Sequence, residues 1–100
     1  MKAYKLLRPH KDGPGPLFIN RRQRLVPGEW YDAEDHPTAG YAHRPGWHCT
    51  TEPVAPHLSE EGREWWEVEV EGTRTFDRPQ SQGGTWILAD RMRLVEKVAA

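Results

Sequence analysis

Trp65-Trp66-Glu67-Val68-Glu69-Val70-Glu71 carries the clearest periodicity in the chain. Trp66, Val68 and Val70 alternate with Trp65, Glu67, Glu69 and Glu71, the period of two that a strand imposes on its side chains. One face is apolar and the other is largely acidic, so the segment reads as a half-buried strand with its carboxylate row in solvent. That reading makes the fold β-rich.

The flanking segments extend it. Downstream, Pro79-Gln80-Ser81-Gln82-Gly83-Gly84 reads as a loop and Thr85-Trp86-Ile87-Leu88-Ala89 as an apolar run. Met92 to Val98 reads as the last strand, with Met92, Leu94 and Val98 on shared or neighbouring core positions. Upstream, Ala3-Tyr4-Lys5-Leu6-Leu7-Arg8 reads as a first strand ended firmly by Pro9 and by Asp12-Gly13-Pro14-Gly15-Pro16. Leu17-Phe18-Ile19-Asn20 is a short apolar run expected as a buried strand. Pro27-Gly28 places Pro second and Gly third in a type II turn, with Glu29 to Glu34 as the returning strand.

Residues 35–62 differ, holding four of the nine prolines and four of the five histidines. They are too proline-rich for a long helix and too aromatic for a disordered linker. A loop, a short strand at Trp47–Thr50 and then an ordered loop or single helical turn are expected. Long ordered loops in small domains are often functional.

One hundred residues make one small domain with a thin core. Five Trp compensate, since each large aromatic buries roughly 150–250 Å². The expected class is therefore α+β and β-rich, a compact single domain over residues 1–100. It would have five to seven short strands in a small barrel or split sheet, a long Pro-rich loop and short helices at most.

Net charge is −1 but unevenly spread: residues 1–24 carry seven Lys or Arg against Asp12, and residues 29–77 carry twelve acids against Arg44, Arg63 and Arg74. A long polyanion, tracked over many phosphates, is disfavoured by that acidic middle, whereas a compact anion is not. The single Cys49 permits no intramolecular disulfide. There is no signal-like apolar run and no stretch near the ~20 apolar residues of a membrane span. A cytoplasmic location without membrane contact is expected; homo-oligomer formation stays open.

His36, His43, His48, Cys49 and His57 cluster within twenty-two positions, but their spacings fit no zinc finger, and adjacent His48 and Cys49 would face opposite ways on a strand. No metal or cofactor is expected. Cys49 beside His48 is not the geometry of a thiolate–base pair, and neither Ser59 nor Ser81 sits on a nucleophile turn. No catalytic residue stands out.

What remains is Arg with aromatics. Arg21, Arg22, Arg24 and Arg44 supply phosphate-binding chemistry, Trp30 and Trp47 flat faces for a base, and His43 and His48 hydrogen bonds. The same residues also read as a basic solvated strand with core tryptophans.

Several blocks resemble small uncharacterised proteins of tailed bacteriophages: Ala3-Tyr4-Lys5, residues 16–24, Glu34-Asp35-His36-Pro37-Thr38, residues 44–50 and Ser81-Gln82-Gly83-Gly84-Thr85-Trp86. That resemblance spans nearly the whole chain and implies a viral protein acting in the host cytoplasm, a class that includes inhibitors of host defence. In outline, Tyr4-Lys5 and Gly46-Trp47-His48-Cys49-Thr50 are also similar to ADP-ribosyltransferase-like folds. Those folds carry Arg or His where Lys5 stands, and a catalytic Glu where Pro79-Gln80-Ser81-Gln82 offers amides. The resemblance therefore implies nucleotide or NAD-like binding more than transfer. Together these readings give a small phage-type protein that holds a nucleotide-derived ligand and sequesters a host immune signal. An enzyme acting on a nucleotide or NAD, and an inhibitor contacting a host protein, are the alternatives.

Overall fold

The computed structural model describes residues 1–17, 22–33, 46–55 and 58–98. Six strands form one antiparallel sheet: β1 Lys2–His10, β2 Gly13–Gly15, β3 Trp30–Asp32, β4 Trp47–Thr50, β5 Glu64–Asp77 and β6 Thr85–Lys97. Among the described residues the only helical element is a 3-10 turn, Gln80–Gln82. The chain is thus β-rich, and the α part of the expected class is not found there. Of the Pro-rich segment 35–62, residues 35–45 and 56–57 lie outside the described residues. Among the described residues no helix is long and apolar enough to cross a membrane. The radius of gyration, 12.5 Å, is that of one compact 100-residue unit, about 13 Å.

The β5–β6 hairpin spans the molecule, from Trp66↔Lys97 to Asp77↔Thr85. The other edge of β6 takes β4 through Trp47↔Ala89 to Thr50↔Trp86, then β3 through Trp30↔Arg93 to Asp32↔Arg91. The other edge of β5 takes β1, Lys2↔Glu69 to Leu7↔Glu64. From β1 the pairing returns to β4 through Tyr4↔Thr50 alone. One residue pair does not make a wall, so the sheet is curled without forming a clear barrel.

Alternation places the core. Ala3, Leu7, Leu25, Trp47, Cys49, Val68, Val70, Ile87, Ala89, Met92 and Leu94 form a main cluster, with Tyr31, Ala33 and Trp66 against it. Ala55, Phe76, Trp86 and Leu88 form a second cluster on the other face, with Leu58 and Trp65. There the Arg78 guanidinium lies 5.3 Å from the Phe76 ring and 4.7 Å from that of Trp86.

Ala89 and Met92 share the main cluster although three positions apart, which a regular strand forbids. The face changes at Asp90, opposite Gly72, between the pairs Glu71↔Arg91 and Thr73↔Ala89. Gly72 has φ of 64°, and a Cβ there would lie 2.8 Å from Cβ of Asp90. Only glycine fits this corner. A second irregularity, between Glu67 and Val68, leaves Val95 unpaired as a bulge, 44% exposed between buried Leu94 and solvent.

Two expectations are corrected. Pro9 does not end β1: the strand runs on to His10 and pairs with β2 through Pro9↔Pro14. Both prolines sit at the margin of the sheet, where the missing N–H costs no interior ladder bond. Val98 is half-buried and outside the core, because the bulge at Val95 shifts the phase of the last residues. Leu17 is buried at a bend, and residues 18–20 of that expected strand lie outside the described residues. The Pro27-Gly28 turn forms, with Gly28 at φ 90° and Glu29 N donating to Val26 O at 3.1 Å.

Candidate functional site

Trp47 and His48 are neighbours on β4 and therefore face opposite ways. Trp47 is 9% exposed in the main core, and its Nε1 donates to Tyr31 O at 3.0 Å. The indole's polar atom is satisfied inside the fold, and the ring fills core volume. His48 lies on the second face, edge-on to Phe76, with centroids 5.7 Å apart and an interplanar angle of 82°. The two side chains do not share a surface.

Of the arginines singled out from sequence, Arg21 and Arg44 lie outside the described residues, as does His43. Arg22 is exposed at a turn. Arg24 is half-buried: its Nε donates to Asp12 Oδ1 at 2.7 Å and its Nη1 to Gln23 O at 3.0 Å. The Arg24 guanidinium holds the Asp12 carboxyl below the ordinary carboxylate range. This pair, with Leu25 N donating to Pro14 O at 2.8 Å, ties the segment before β3 to the β1–β2 hairpin.

Trp30 occupies a different setting. It is half-buried on β3, a three-residue edge strand, and two cations of β6 stand over its ring: Arg91 at 4.8 Å and Arg93 at 4.9 Å from the centroid. The register explains the contact. Trp30 pairs with Arg93 and Asp32 with Arg91, and side chains paired across antiparallel strands share a face. Arg91 reaches Asp32 at 3.3 Å and Glu71 at 3.4 Å; Arg93 reaches Glu69 at 3.1 Å. The sequence reading passed over Arg91 and Arg93. Their signal was the alternation Arg91-Met92-Arg93-Leu94, which puts both guanidiniums on the face opposite the core.

The acidic row of β5 is correspondingly not bare. Glu69 and Glu71 take Arg93 and Arg91, Glu67 takes Lys2 at 3.1 Å, and Glu64 takes Lys97 at 3.0 Å. Each exposed pair is worth about 0–1 kcal/mol. Their joint effect is to offset the field of the aligned Glu67, Glu69 and Glu71 carboxylates, while Glu64 is paired on the opposite face of the strand.

Lys5 is the other unexpected group. Ala3, Lys5 and Leu7 share one face of β1, and Ala3 and Leu7 are fully buried in the main cluster. Lys5 is half-buried; its Nζ donates to His48 O at 2.8 Å and lies 5.8 Å from the Trp47 ring centroid. Burial pulls its pKa below the ordinary lysine value, an effect that the neighbouring Cys49 only partly opposes. Cys49 is itself fully buried, and its thiol is pushed up to about 11 by the same desolvation. A thiol held that firmly protonated is an inert core group.

Among the described residues no three His, Cys, Asp or Glu side chains converge as metal ligands. Chemically, the described residues offer an aromatic ring with two planar cations at a sheet edge, and a desolvated amine at the β1–β4 seam. No family model, curated protein or solved structure matches the chain.

Proposed function

We propose that this chain is a small binding protein that holds a compact nucleotide-derived ligand, with Trp30 as the base-stacking ring and Arg91 and Arg93 as the cations beside it. The observation that carries the reading is the Trp30–Arg91–Arg93 cluster on an edge strand. A guanidinium has five N–H donors in a planar fork, so an arginine that holds a carboxylate on one side retains donors for phosphate oxygens on another. The ring supplies a π-face for a base, a contact worth about 1–3 kcal/mol. Surrounding carboxylates penalise a long polyanion more than a ligand with few phosphates.

The role proposed with it is sequestration of a nucleotide-type immune signal in the host cytoplasm, a reading supported by the resemblance of the sequence blocks to small phage proteins. The experiment is a thermal-shift screen of the purified chain against mono-, di- and cyclic nucleotides and NAD derivatives, repeated on Trp30→Ala. The expected result is a raised Tm for a nucleotide class, with affinity falling about tenfold or more in the variant as the stacking contact is lost. No shift across the panel, or equal binding by Trp30→Ala, rejects the reading. Mass spectrometry of the incubated ligand separates sequestration, which returns it intact, from turnover. Binding to a host protein without any nucleotide shift would favour the direct-contact inhibitor instead.

A further inference from the structure

We infer that the ligand of the Trp30 edge is a ribonucleotide with a free 2′,3′-diol, and that Asp32 is the group that takes the diol, an inference that rests on the nucleotide reading above. The outer face of β3, β6 and β5 is a grid of two rows. Trp30, Arg93 and Glu69 stand in one row, and Asp32, Arg91 and Glu71 in the next, because each trio is paired in register across the three strands. Rows two residues apart on one face are separated by about 7 Å. That span is comparable with the step from the middle of a nucleobase to the hydroxyls of its sugar. A base on Trp30 therefore brings its ribose to the row of Asp32.

Asp32 ends β3 with its side chain 84% exposed and its Oδ1 3.3 Å from Arg91 Nε. Arg91 also stands 4.8 Å from the Trp30 ring centroid, so one guanidinium holds this carboxylate beside the stacking ring. On its other side Arg91 meets Glu71 at 3.4 Å. An arginine between two carboxylates leaves that row net negative. The first row differs. Arg93 answers Glu69 at 3.1 Å, so charge there is balanced and this guanidinium is the better anchor for a phosphate.

The net negative row repels a phosphate but not a hydroxyl. A hydroxyl donates its proton, and an ionised carboxylate has about four acceptor sites, enough for both hydroxyls of a cis-diol besides Arg91. Hydrogen bonds to a charged acceptor are also the stronger kind. Dinucleotide-binding folds of unrelated architecture use an acidic side chain for ribose hydroxyls in the same way. Base on Trp30, diol on Asp32 and phosphate turned toward Arg93 place each part of the ligand against the group that suits it. A deoxyribose, or a 3′,5′-cyclic phosphate, leaves Asp32 with one hydroxyl at most and its charge uncompensated.

The test is calorimetric titration of the native chain with AMP, GMP, CMP and UMP, with their 2′-deoxy counterparts and with 3′,5′-cyclic AMP and GMP. The ribose 5′-monophosphate of the preferred base is expected to bind about tenfold or more tighter than its deoxy and cyclic forms. Asp32→Ala tests the assignment, and because Asp32 is exposed its loss does not disturb the core. The variant should bind the ribose form no better than the parent binds the deoxy form. It should bind the deoxy form as tightly as the parent or more so, since a negative charge near the phosphate is gone. A side chain that only braced Arg91 would weaken every probe alike. Deoxy or cyclic forms bound as tightly as the ribose form by the parent, or a uniform loss in Asp32→Ala, overturns the inference and leaves the nucleotide reading standing. Absence of binding by every probe also overturns it, and the thermal-shift screen with Trp30→Ala then decides the nucleotide reading separately.

Discussion

A single lysine decides more about β1 than its apolar neighbours do. Lys5 sits between Ala3 and Leu7 on the face that packs the main cluster, where a hydrophobe would be expected. Its native pKa lies below the ordinary value of 10.5, because burial penalises the charged form. The unfolded chain therefore binds this proton more tightly than the native one. Stability from this group is fully present above 10.5, falls as pH drops from there toward the native value, and is constant below it. Lys5→Met removes the penalty while keeping a flexible side chain of similar length in the slot. The variant is expected to be more stable than the parent by about 1 kcal/mol at neutral pH, net of the lost bond to His48 O. The gap should close as pH rises toward 10.5. Urea melts at several pH values check both statements; a destabilised variant at neutral pH would show that the bond outweighs the desolvation.

At the scale of elements, Gly72 is the position that lets one hairpin serve two clusters. Val68 and Val70 face the main cluster while Phe76 faces the second, and the strand changes face at Gly72. An alanine there meets both a left-handed φ and the side chain of Asp90. Gly72→Ala should cost about 2–3 kcal/mol. Gly28 offers the control: its φ is also positive, but a Cβ there would touch nothing within 4 Å. Gly28→Ala should cost only about 1 kcal/mol, the backbone term alone. Denaturant melts of the two variants separate the terms, and equal losses would show that Asp90 moves aside freely. The corner also marks where sequence reading stops. Trp65 to Glu71 was legible as a strand because its period of two is unbroken. Thr73, Arg74 and Thr75 carry no apolar alternation, so the continuation of β5 to Asp77 left no pattern. Likewise Thr85–Ala89 and Met92–Val98 read as separate pieces, because Asp90 and Arg91 interrupt the apolar run inside what is one strand. At the candidate site, sequence named Trp30 and Trp47 as equals. What separates them is register: Trp47 pairs with Ala89 on the inner face, Trp30 with Arg93 on the outer. Register depends on long-range pairing, which local composition does not encode.

For the whole molecule, the two clusters share their strands, and this fixes how it comes apart. Adjacent Trp65 and Trp66 send their rings to opposite clusters, and β6 alternates Trp86 and Leu88 with Ile87 and Ala89 in the same way. The terminal strands are also tied to the middle of the fold: Val70 N donates to Met1 O at 2.9 Å, and Val98 N to Trp65 O at 2.9 Å. Neither cluster can lose its strands while the other keeps them. Chemical unfolding should therefore be a single transition, with fluorescence and far-UV ellipticity giving the same midpoint. Fluorescence is a discriminating probe here. Trp47 and Trp66 report the main cluster, Trp65 and Trp86 the second, and Trp30 the charged edge. If the second cluster, covered by Ala55 and Leu58 from the segment between β4 and β5, melted on its own, fluorescence would change first while ellipticity held. Coincident curves in the parent and in single variants Trp65→Phe and Trp66→Phe would establish one cooperative unit. Separated midpoints in any of the three would show that the curled sheet outlasts the layer packed on its second face.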